Sequence, residues 1–183
     1  CEVDDDGVTF RSTLDGSLRR LTPESVVDTQ VQLGSDIAMV LDQCVASPAD
    51  RALAEAAVRR TQDWAERSRK IAQRLPGGLF GIVQGSAYPD LRAAHAEQLT
   101  ELDFDGYAVG GLAVGEAKDV TWTVLEASTA VLPEDKPRYV MGMGTPSDLV
   151  EGVARGVDLF DCVMPTRHAR NGTAFTSEGR ISI

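Results

Sequence analysis

An acidic residue and a cationic cluster stand close together near the end of the sequence. Asp161 follows residues 157–160, a short apolar run that predicts a buried strand, and Pro165 then prevents further strand pairing. Two arginines and a histidine come next within four residues, namely Arg167, His168 and Arg170. An anion held by these cations would have its reactive part near the carboxylate. The spacing therefore predicts a nucleophile or base beside a phosphate-binding cluster.

Other polar residues and glycines also follow short apolar runs that predict strands. Those expected at the carboxyl ends of strands are Asp42, Gln84, Gly110, Gly111, Gly142, Met143, Gly144 and Asp161. A (β/α)8 barrel builds its catalytic face from the carboxyl ends of many strands, whereas an open doubly wound sheet concentrates its site at one switch point. Taken singly, each residue is more readily explained as a turn former. Their shared position at strand ends favours a functional role and the barrel.

Strands and helices alternate through most of the chain. The predicted strands cover residues 36–41, 79–83, 107–109, 138–141 and 157–160. The predicted helices cover residues 23–33, 50–74, 89–102, 120–131 and 145–156. Hairpins are predicted for residues 8–21, around an Asp-Gly turn, and for residues 174–183. About five strand–helix units predict an α/β fold with a parallel sheet and right-handed crossovers.

The length of the chain limits how much of a barrel it can form. Five strands cannot close an eight-stranded barrel, and complete barrels usually take ~250 residues. With 43% hydrophobic residues, the chain can still bury a sizeable core. We therefore expect residues 1–183 to form a single domain, one part of a (β/α)8 TIM barrel whose first strands and C-terminal part are missing.

Composition narrows the possible functions. The net charge of −10 argues against nonspecific nucleic-acid binding, which needs clustered Lys and Arg. Any RNA contact must therefore be local, and Arg155 is a further candidate for the cationic cluster. No apolar run approaches the ~18 to 20 residues of a membrane-spanning helix, and the three cysteines form no CxxC pair. Reduced thiols and a cytoplasmic location are expected.

Residues 160–172, with the pattern FDCVxPTRxxRNG, resemble the active-site segment of the tRNA-guanine transglycosylases. These enzymes exchange a guanine in tRNA for a modified base. Further segments resemble the motifs of this family in the family's own order, namely residues 42–44, 80–85, 104–116 and 139–142. The resemblance covers nearly the whole chain and implies a barrel enzyme.

The resemblance implies a role for most of the strand-end residues. Asp161 would be the nucleophile, while Asp42, Gln84 and Gly111 would hold the base. RNA contacts are implied for Gly142, Met143, Gly144, Thr145, Pro146, Ser147, Asp148, Thr166, Arg167, His168, Ala169 and Arg170. The chemistry suits these residue types, because a carboxylate can stabilise and then trap an oxocarbenium-like ribosyl centre. The two oxygens of Asp42 likewise match adjacent N–H donors of guanine.

The resemblance is to the bacterial form, through residues 112–115 (LAVG) together with Cys44. It implies exchange of guanine for 7-aminomethyl-7-deazaguanine at the wobble position of tRNAs with a GUN anticodon, a step of queuosine biosynthesis. It also implies a homodimer, a structural zinc whose ligands lie outside residues 1–183, and a second catalytic Asp before residue 1. One departure is Gln43, where the family commonly has Glu.

Two other functions remain open. A catalytically silent RNA-binding subunit of a transglycosylase would not need the nucleophile Asp161, and an unrelated barrel enzyme acting on a phosphosugar would share the strand-end placement. The other side chains have simpler interpretations. Cys44 is either a small core residue or part of a pocket wall, Trp64 and Trp122 are expected to pack in the interior, and His95 is expected to face solvent.

Overall fold

The computed structural model describes residues 1–47 and 49–183. Its strands are β1 (Glu2–Asp4), β2 (Gly7–Arg11), β3 (Leu18–Leu21), β4 (Ile37–Met39), β5 (Gly78–Val83), β6 (Gly106–Val109), β7 (Arg138–Val140), β8 (Leu159–Phe160), β9 (Thr173–Thr176) and β10 (Gly179–Ser182). Its α-helices are α1 (Pro23–Leu33), α2 (Arg51–Arg69), α3 (Pro89–Thr100), α4 (Lys118–Thr129), α5 (Pro146–Ala154) and α6 (Met164–Arg170). One turn of 3-10 helix covers Ala72–Arg74.

Strands β4 to β8 form one parallel sheet, in the order in which they occur along the chain. The sheet curls so that residues from its two edge strands, β4 and β8, line one cavity of about 320 Å³. Its lining consists of Ile37, Met39, Phe80, Tyr139, Leu159 and Phe160. Curled parallel strands, each followed by a helix, confirm the predicted partial (β/α)8 barrel.

The centre of the sheet is buried on both faces. Every residue of β6 is buried, as is every residue of β5 after its first. On the outer face, Leu99 of α3 and Leu125 of α4 are fully buried and belong to the same hydrophobic cluster as these strands. Burial on both faces explains why these strands are continuous apolar runs rather than alternating ones.

Two helices begin with reciprocal side-chain caps. Thr22 Oγ1 accepts the N–H of Ser25 at 3.2 Å, and Ser25 Oγ accepts the N–H of Thr22 at 2.8 Å. Thr145 and Asp148 form the same pair at the start of α5. Gly34 ends α1 in the left-handed conformation, with φ of 67°. These caps confirm the predicted starts of both helices and the predicted end of α1.

The N-terminal strands form a separate antiparallel sheet beside α2. The predicted hairpin is present as β2 and β3, and β1, which was not predicted, pairs with β2. Its Glu-Val-Asp sequence disfavours a strand, but Asp4 Oδ1 accepts the N–H groups of Asp6 and Gly7 and so closes the β1–β2 turn. Trp64 of α2 is fully buried and its Nε1 donates to the Asp5 carbonyl at 2.7 Å, which confirms its packing role.

Two helical segments differ from the prediction. The helix predicted for residues 50–74 ends at Arg69, and Ile71, with φ of −118° and ψ of 7°, separates it from the 3-10 turn. Helix α6 was not predicted, because Pro165 suggested only the end of a strand. In the structure Pro165 lies in the first turn of α6, where a proline is tolerated because its missing N–H would have no partner there.

The prediction that His95 faces solvent is wrong, since His95 is fully buried. The buried residues of α3 are Arg92, His95, Ala96 and Leu99. Their spacing of three and four residues is that of one helix face, so two polar side chains share the inner stripe with two apolar ones. The polar residues that follow His95, Glu97 and Gln98, are exposed. Trp122, by contrast, packs against the core as predicted.

Two glycines in the central strands lie under aromatic rings. Gly106 of β6 is the register partner of Phe80 on β5, and a Cβ at position 106 would lie 2.3 Å from Cζ of that ring. A Cβ at Gly81 would similarly lie 2.7 Å from Cδ2 of Phe104. Real Cβ atoms do not approach other atoms so closely, so these positions require glycine because of the rings rather than because of the backbone.

We therefore expect Gly106→Ala to destabilise the full-length protein by about 1 to 3 kcal/mol through overpacking. Phe80→Leu shortens the side chain above residue 106, so the double variant should lose less stability than the sum of the two single variants. Urea unfolding of the wild type, both single variants and the double variant measures this coupling. Strictly additive losses would show that the ring and the glycine do not constrain each other.

Candidate active site

Three predicted base-binding residues come together at the carboxyl ends of β4, β5 and β6. Gln84 Nε2 donates to Asp42 Oδ2 at 2.6 Å. Gly111 has φ of 65°, and a Cβ there would lie 2.6 Å from Gln84 Oε1. A Cβ at Gly110 would lie 2.7 Å from Gln84 Nε2. The two glycines therefore let the backbone approach the Gln84 amide closely. The side chains of Asp42 and Gln84 and the backbone of Gly111 form one polar edge.

The electrostatics of Asp42 are unfavourable in the absence of a ligand. Burial raises the pKa of its carboxyl group, and the hydrogen bond from Gln84 offsets this only in part. No cation forms an ion pair with Asp42 in the described part of the chain. A bound group with two adjacent N–H donors would favour the ionised carboxylate, because both oxygens could then accept hydrogen bonds.

Asp161 is held by its neighbours through one oxygen. Its Oδ1 accepts the hydroxyl of Tyr139 at 2.6 Å and the N–H of Gly142 at 2.7 Å. Burial, and then the hydrogen bond to Asp161, raise the pKa of Tyr139 to about 12, so the hydroxyl keeps its proton at neutral pH. Gly142 has φ of 74°, a conformation suited to glycine that directs its N–H at the carboxylate. Asp161 is exposed, and its Oδ2 accepts no hydrogen bond from any described residue.

The loop after β6 is held by Glu116. Its carboxylate accepts the N–H groups of Ala113 and Val114 and the hydroxyl of Thr121. Burial opposes ionisation of Glu116, but these hydrogen bonds outweigh it and keep the pKa of the carboxyl below its ordinary value. Ala113 has φ of 57°, which is uncommon for a residue with a Cβ. The Glu116 contacts therefore fix a strained turn next to Gly111.

The segment from Gly142 to Asp148 is only partly accessible. Met143 is 2% exposed and Asp148 is 4% exposed. Asp148 also caps α5 and forms an ion pair with Lys118, with 2.6 Å between Oδ1 and Nζ. The exposed residues of the segment are Gly142, Pro146 and Ser147, and the half-buried ones are Gly144 and Thr145. Contacts with a macromolecule are therefore possible for these five, while Met143 and Asp148 support the loop from inside.

The cationic cluster lies on α6, directly after Asp161. Thr166, Arg167, Ala169 and Arg170 are exposed there, and neither arginine takes part in an ion pair among the described residues. His168 is half-buried and its ring lies 4.9 Å from that of Phe175.

Arg155, the further candidate for this cluster, is already engaged. It forms ion pairs with Glu126 and Glu151 and lies over the ring of Trp122, at 4.9 Å from the ring centroid. These contacts fix the side chain between α4 and α5. The available cations are therefore those of α6, and the expectation that Arg155 extends the cluster is wrong.

Three buried or half-buried residues of the site were not predicted. Tyr139 orients Asp161, while Arg92 and His95 contact the loops that carry Gln84 and Gly111. Tyr139 was visible as a polar aromatic residue near the end of a predicted strand. Arg92 and His95 were visible only through their helical spacing with Leu99, which places them on the face of α3 that packs on the sheet.

The family model of the queuine tRNA-ribosyltransferases matches residues 1–183. The chain belongs to this family. It is 53% identical over 182 residues to a queuine tRNA-ribosyltransferase of Pelotomaculum thermopropionicum, and the match covers 100% of this chain and 49% of that protein. For the proteins of the same name from Agrobacterium fabrum and Desulfosudis oleivorans, identity is 54% over 183 residues and 55% over 185. Those matches cover 100% and 99% of this chain, and 49% and 48% of the respective relatives.

The chain thus spans about half the length of these queuine tRNA-ribosyltransferases. Family membership confirms the resemblance to the transglycosylases and the assignment to a glycosyltransferase family. No helix of the described residues is long and apolar enough to cross a bilayer. Residues 1–47 and 49–183 also contain no group of three His, Cys, Asp or Glu side chains arranged to hold a metal ion. The three cysteines are unpaired, and Cys44 is exposed rather than buried in the core.

Gln43, which stands where the family commonly has Glu, forms its hydrogen bonds away from the base-binding edge. Its Oε1 accepts a hydrogen bond from Arg60, and its backbone N–H donates to Thr61 Oγ1 at 3.0 Å. Both partners lie on α2. In this queuine tRNA-ribosyltransferase family member, the residue at position 43 therefore contacts α2 and forms no hydrogen bond with Asp42 or Gln84.

The raised pKa of Asp42 predicts how stability depends on pH. An acid whose pKa is raised by folding contributes stability below its unfolded-state pKa and loses it as the pH rises through the folded-state pKa. Asp42→Asn keeps the shape and can still accept from Gln84 Nε2. We therefore expect the ligand-free full-length variant to melt at a higher temperature than the wild type at pH 7.

This gain should shrink as the pH falls below about 4, the ordinary pKa of an aspartate, where Asp42 is protonated in both states. Calorimetry over this pH range makes the comparison. The matched control is Asp135→Asn, an exposed aspartate before the amino end of β7 and thus away from the carboxyl-end rim, which should not reproduce the gain. A lower melting temperature for Asp42→Asn at pH 7 would contradict the burial argument.

Proposed function

We propose that the full-length protein is a tRNA-guanine transglycosylase that exchanges guanine at the anticodon wobble position for 7-aminomethyl-7-deazaguanine, in queuosine biosynthesis. The observation that carries this proposal is the pair of groups at one rim of the barrel. One is an exposed carboxylate, Asp161, oriented through a single oxygen, and the other is the polar edge of Asp42, Gln84 and Gly111.

The polar edge suits a purine-like base. Guanine presents adjacent N1–H and N2–H2 donors, which match the two oxygens of Asp42. The Gln84 amide and the Gly111 N–H can donate to O6 or to a ring nitrogen. Because Gln84 Nε2 already lies 2.6 Å from Asp42 Oδ2, the groups that would read the two edges of the base are neighbours before it binds. This arrangement lowers the ordering that binding requires.

Asp161 supports a double displacement. The free Oδ2 attacks C1′ of the ribose as the bond from C1′ to the guanine nitrogen breaks, and guanine leaves with its bonding electron pair and takes up a proton. The product is a ribosyl ester of Asp161. The incoming base then attacks C1′ from the face that guanine left, loses a proton, and releases the carboxylate. Two inversions give net retention, and one N-glycosidic bond replaces another.

Helix α6 and the loop after β7 would contact the RNA partner. Arg167 and Arg170 are exposed cations that can bind phosphates on either side of a flipped-out nucleotide, and they follow the nucleophile directly in sequence. Thr166, His168 and Ala169 lie on the same short helix. With a net charge of −10, residues 1–183 offer little nonspecific attraction for RNA, so we infer that tRNA with a GUN anticodon docks at these local cations.

The choice of the 7-aminomethyl base rests on two loops that touch. A Cβ at Gly115 would lie 2.7 Å from the carbonyl oxygen of Ser47, so residues 112–115 pack against the loop after β4 that carries Cys44. These are the two segments through which the chain resembles the bacterial form. We extend the proposal to the structural zinc, the homodimer and the cytoplasmic location that the same resemblance implies, and metal analysis of the full-length protein tests the zinc.

The alternative of a catalytically silent subunit has no observation in its favour. Such a subunit would not need the Tyr139 hydroxyl and the Gly142 N–H aimed at a carboxylate on the exposed rim. A phosphosugar enzyme would need the cations but not the buried edge of Asp42 and Gln84.

The double displacement predicts a covalent adduct at Asp161. Wild-type full-length protein, incubated with tRNA and a base analogue that stalls the second step, should form a tRNA adduct that survives denaturing electrophoresis. Asp161→Asn should bind tRNA with similar affinity and form no adduct. Asp158→Asn is the matched control, because it makes the same change three residues earlier, and it should form the adduct. An undiminished adduct in Asp161→Asn would assign the nucleophile to another residue.

The proposed base preference is tested by comparing the 7-aminomethyl base with the bulkier queuine. We expect the former to be incorporated and the latter to be used poorly, since the touching loops that carry Cys44 and residues 112–115 would leave little room for a bulkier substituent. Initial rates of exchange into guanine-containing tRNA, measured at several concentrations of each base, give kcat/KM for both. Equal or better use of queuine would overturn the base assignment while leaving the transglycosylase activity intact.

A further inference from the structure

Helix α3 carries two fully buried polar side chains that the proposed reaction does not use. Arg92 and His95 are both 0% exposed and lie one turn apart on the helix face that packs on β5 and β6. Burying a guanidinium without a carboxylate partner is unfavourable, so the contacts that compensate for it indicate what it does. Among the described residues, the hydrogen bonds of both side chains go to the loops that follow β5 and β6.

Arg92 joins these two loops. Its Nε donates to the carbonyl of Ser86 at 2.7 Å, its Nη1 to the carbonyl of Gly110 at 3.0 Å and its Nη2 to the carbonyl of Gly111 at 3.3 Å. No carboxylate forms an ion pair with Arg92 in the part of the chain that the structure describes. The guanidinium is planar and rigid, so the three bonds set the distance between the loop that carries Gln84 and the loop that carries Gly111.

His95 holds Gln84 itself. Its Nδ1 lies 2.9 Å from the backbone nitrogen of Gln84, and since an N–H can only donate, Nδ1 is the acceptor. Burial, together with the nearby charge of Arg92, lowers the pKa of His95 to about 4, which keeps the ring neutral at pH 7. The neutral ring with Nδ1 unprotonated is the form that this contact requires.

The backbone between these two contacts is strained. Ser86 has φ of 51°, a left-handed conformation that is uncommon for residues with a Cβ, and Gly85 has φ of 151°. The aliphatic part of Arg92 lies against this corner, because a Cβ at Gly85 would lie 2.7 Å from Arg92 Cγ. Strained conformations persist only where the surroundings hold them. Here Arg92 holds one side of the corner and His95 the other.

We propose that Arg92 and His95 are positioning residues that set the spacing and orientation of the Gln84 amide relative to the Gly110–Gly111 backbone, and thereby the fit of the base. This inference rests on the proposed function for the identity of the base. Neither side chain touches the substrate. They act through the backbone. A Cβ at Gly111 or Gly110 would lie 2.6 to 2.7 Å from the Gln84 amide, so the two loops already approach closely and a shift of either would change the binding edge.

A merely stabilising role makes a different prediction. Core residues that only contribute stability lower the fraction of folded protein when they are changed, but the protein that is folded binds base and tRNA as before. A positioning role predicts weaker binding of the base by folded protein, with a smaller effect on tRNA, which would also be held through α6 and the loop after β7. The split between the two KM values therefore distinguishes the roles.

The test uses the full-length protein and compares two substitutions of His95. Asparagine attaches its Oδ1 to Cγ as histidine attaches Nδ1, so His95→Asn keeps an acceptor for the Gln84 N–H, whereas His95→Leu removes it. We expect His95→Leu to raise the KM for guanine about tenfold, because a buried donor loses its partner, and to raise the KM for tRNA by less. His95→Asn should recover most of the loss. Arg92→Met should resemble His95→Leu.

The matched control is Leu99→Ala, one turn further along the same face of α3 and equally buried, but apolar and so unable to form a hydrogen bond to either loop. It should lower stability and leave the KM for guanine unchanged. Should Arg92→Met fail to fold, Arg92→Lys replaces it, because it keeps the charge but lacks the planar guanidinium whose three nitrogens donate to three separate carbonyls. The inference is overturned if His95→Leu and His95→Asn are equally impaired, or if Leu99→Ala raises the KM for guanine as much as they do.

Amide hydrogen exchange provides a readout that does not depend on activity. In His95→Leu and Arg92→Met, the amides of residues 84–86 and 110–111 should exchange faster, while those within β5 and β6 stay protected. Unchanged protection of the loop amides would refute positioning even if activity fell. If the wild type does not incorporate guanine into tRNA at all, the proposed function fails. The hydrogen exchange of the loop amides then still decides whether α3 holds the two loops.

Discussion

The parallel pairing of β4 to β8 is the constraint on which the rest of the structure depends. Because every strand of the sheet points the same way, every strand ends at the same rim, and each helix returns the chain to the opposite side. Side chains at the rim are not needed for the pairing, so polar residues can stand there at little expense to the core. Asp42, Gln84, Gly111 and Asp161 meet at this rim although 119 positions separate the first from the last. The curl of the sheet, shown by the cavity that both edge strands line, brings the two ends of the rim towards each other.

Local signals predicted the elements well where one residue decides the backbone. Thr22 and Thr145 start helices because their hydroxyls cap the N-terminus, and Gly34 ends one because it adopts the left-handed conformation. The signals failed where a contact with a distant element decides. Strand β1 exists because β2 pairs with it, despite its acidic sequence, and His95 is buried because the face of α3 that carries it packs on the sheet. Composition along the chain cannot show either of these partners.

The same distinction applies to the site. The residues that would touch substrate were predictable, since their position at strand ends and their chemistry can be read directly from the chain. The residues that orient them were not. Tyr139 reaches Asp161 across 22 positions, and Arg92 reaches the carbonyls of Gly110 and Gly111 across 18 and 19. Such contacts depend on the register of neighbouring strands and on the rotation of a helix about its axis, and neither follows from the spacing of residues within one element.

Several features of the site lower the stability of the folded protein. Asp42 has a raised pKa because it is buried without a cation, and Ser86 and Ala113 hold left-handed conformations that a residue with a Cβ adopts only under constraint. All three lie in loops at the rim, within two residues of a group that would bind the base. A ligand with two N–H donors relieves the first of these penalties, whereas the strained turns persist with or without it. A rim already held in the binding conformation loses less entropy when the base arrives, and this is consistent with loops that are fixed by a buried arginine and a half-buried glutamate instead of being free to close around the ligand.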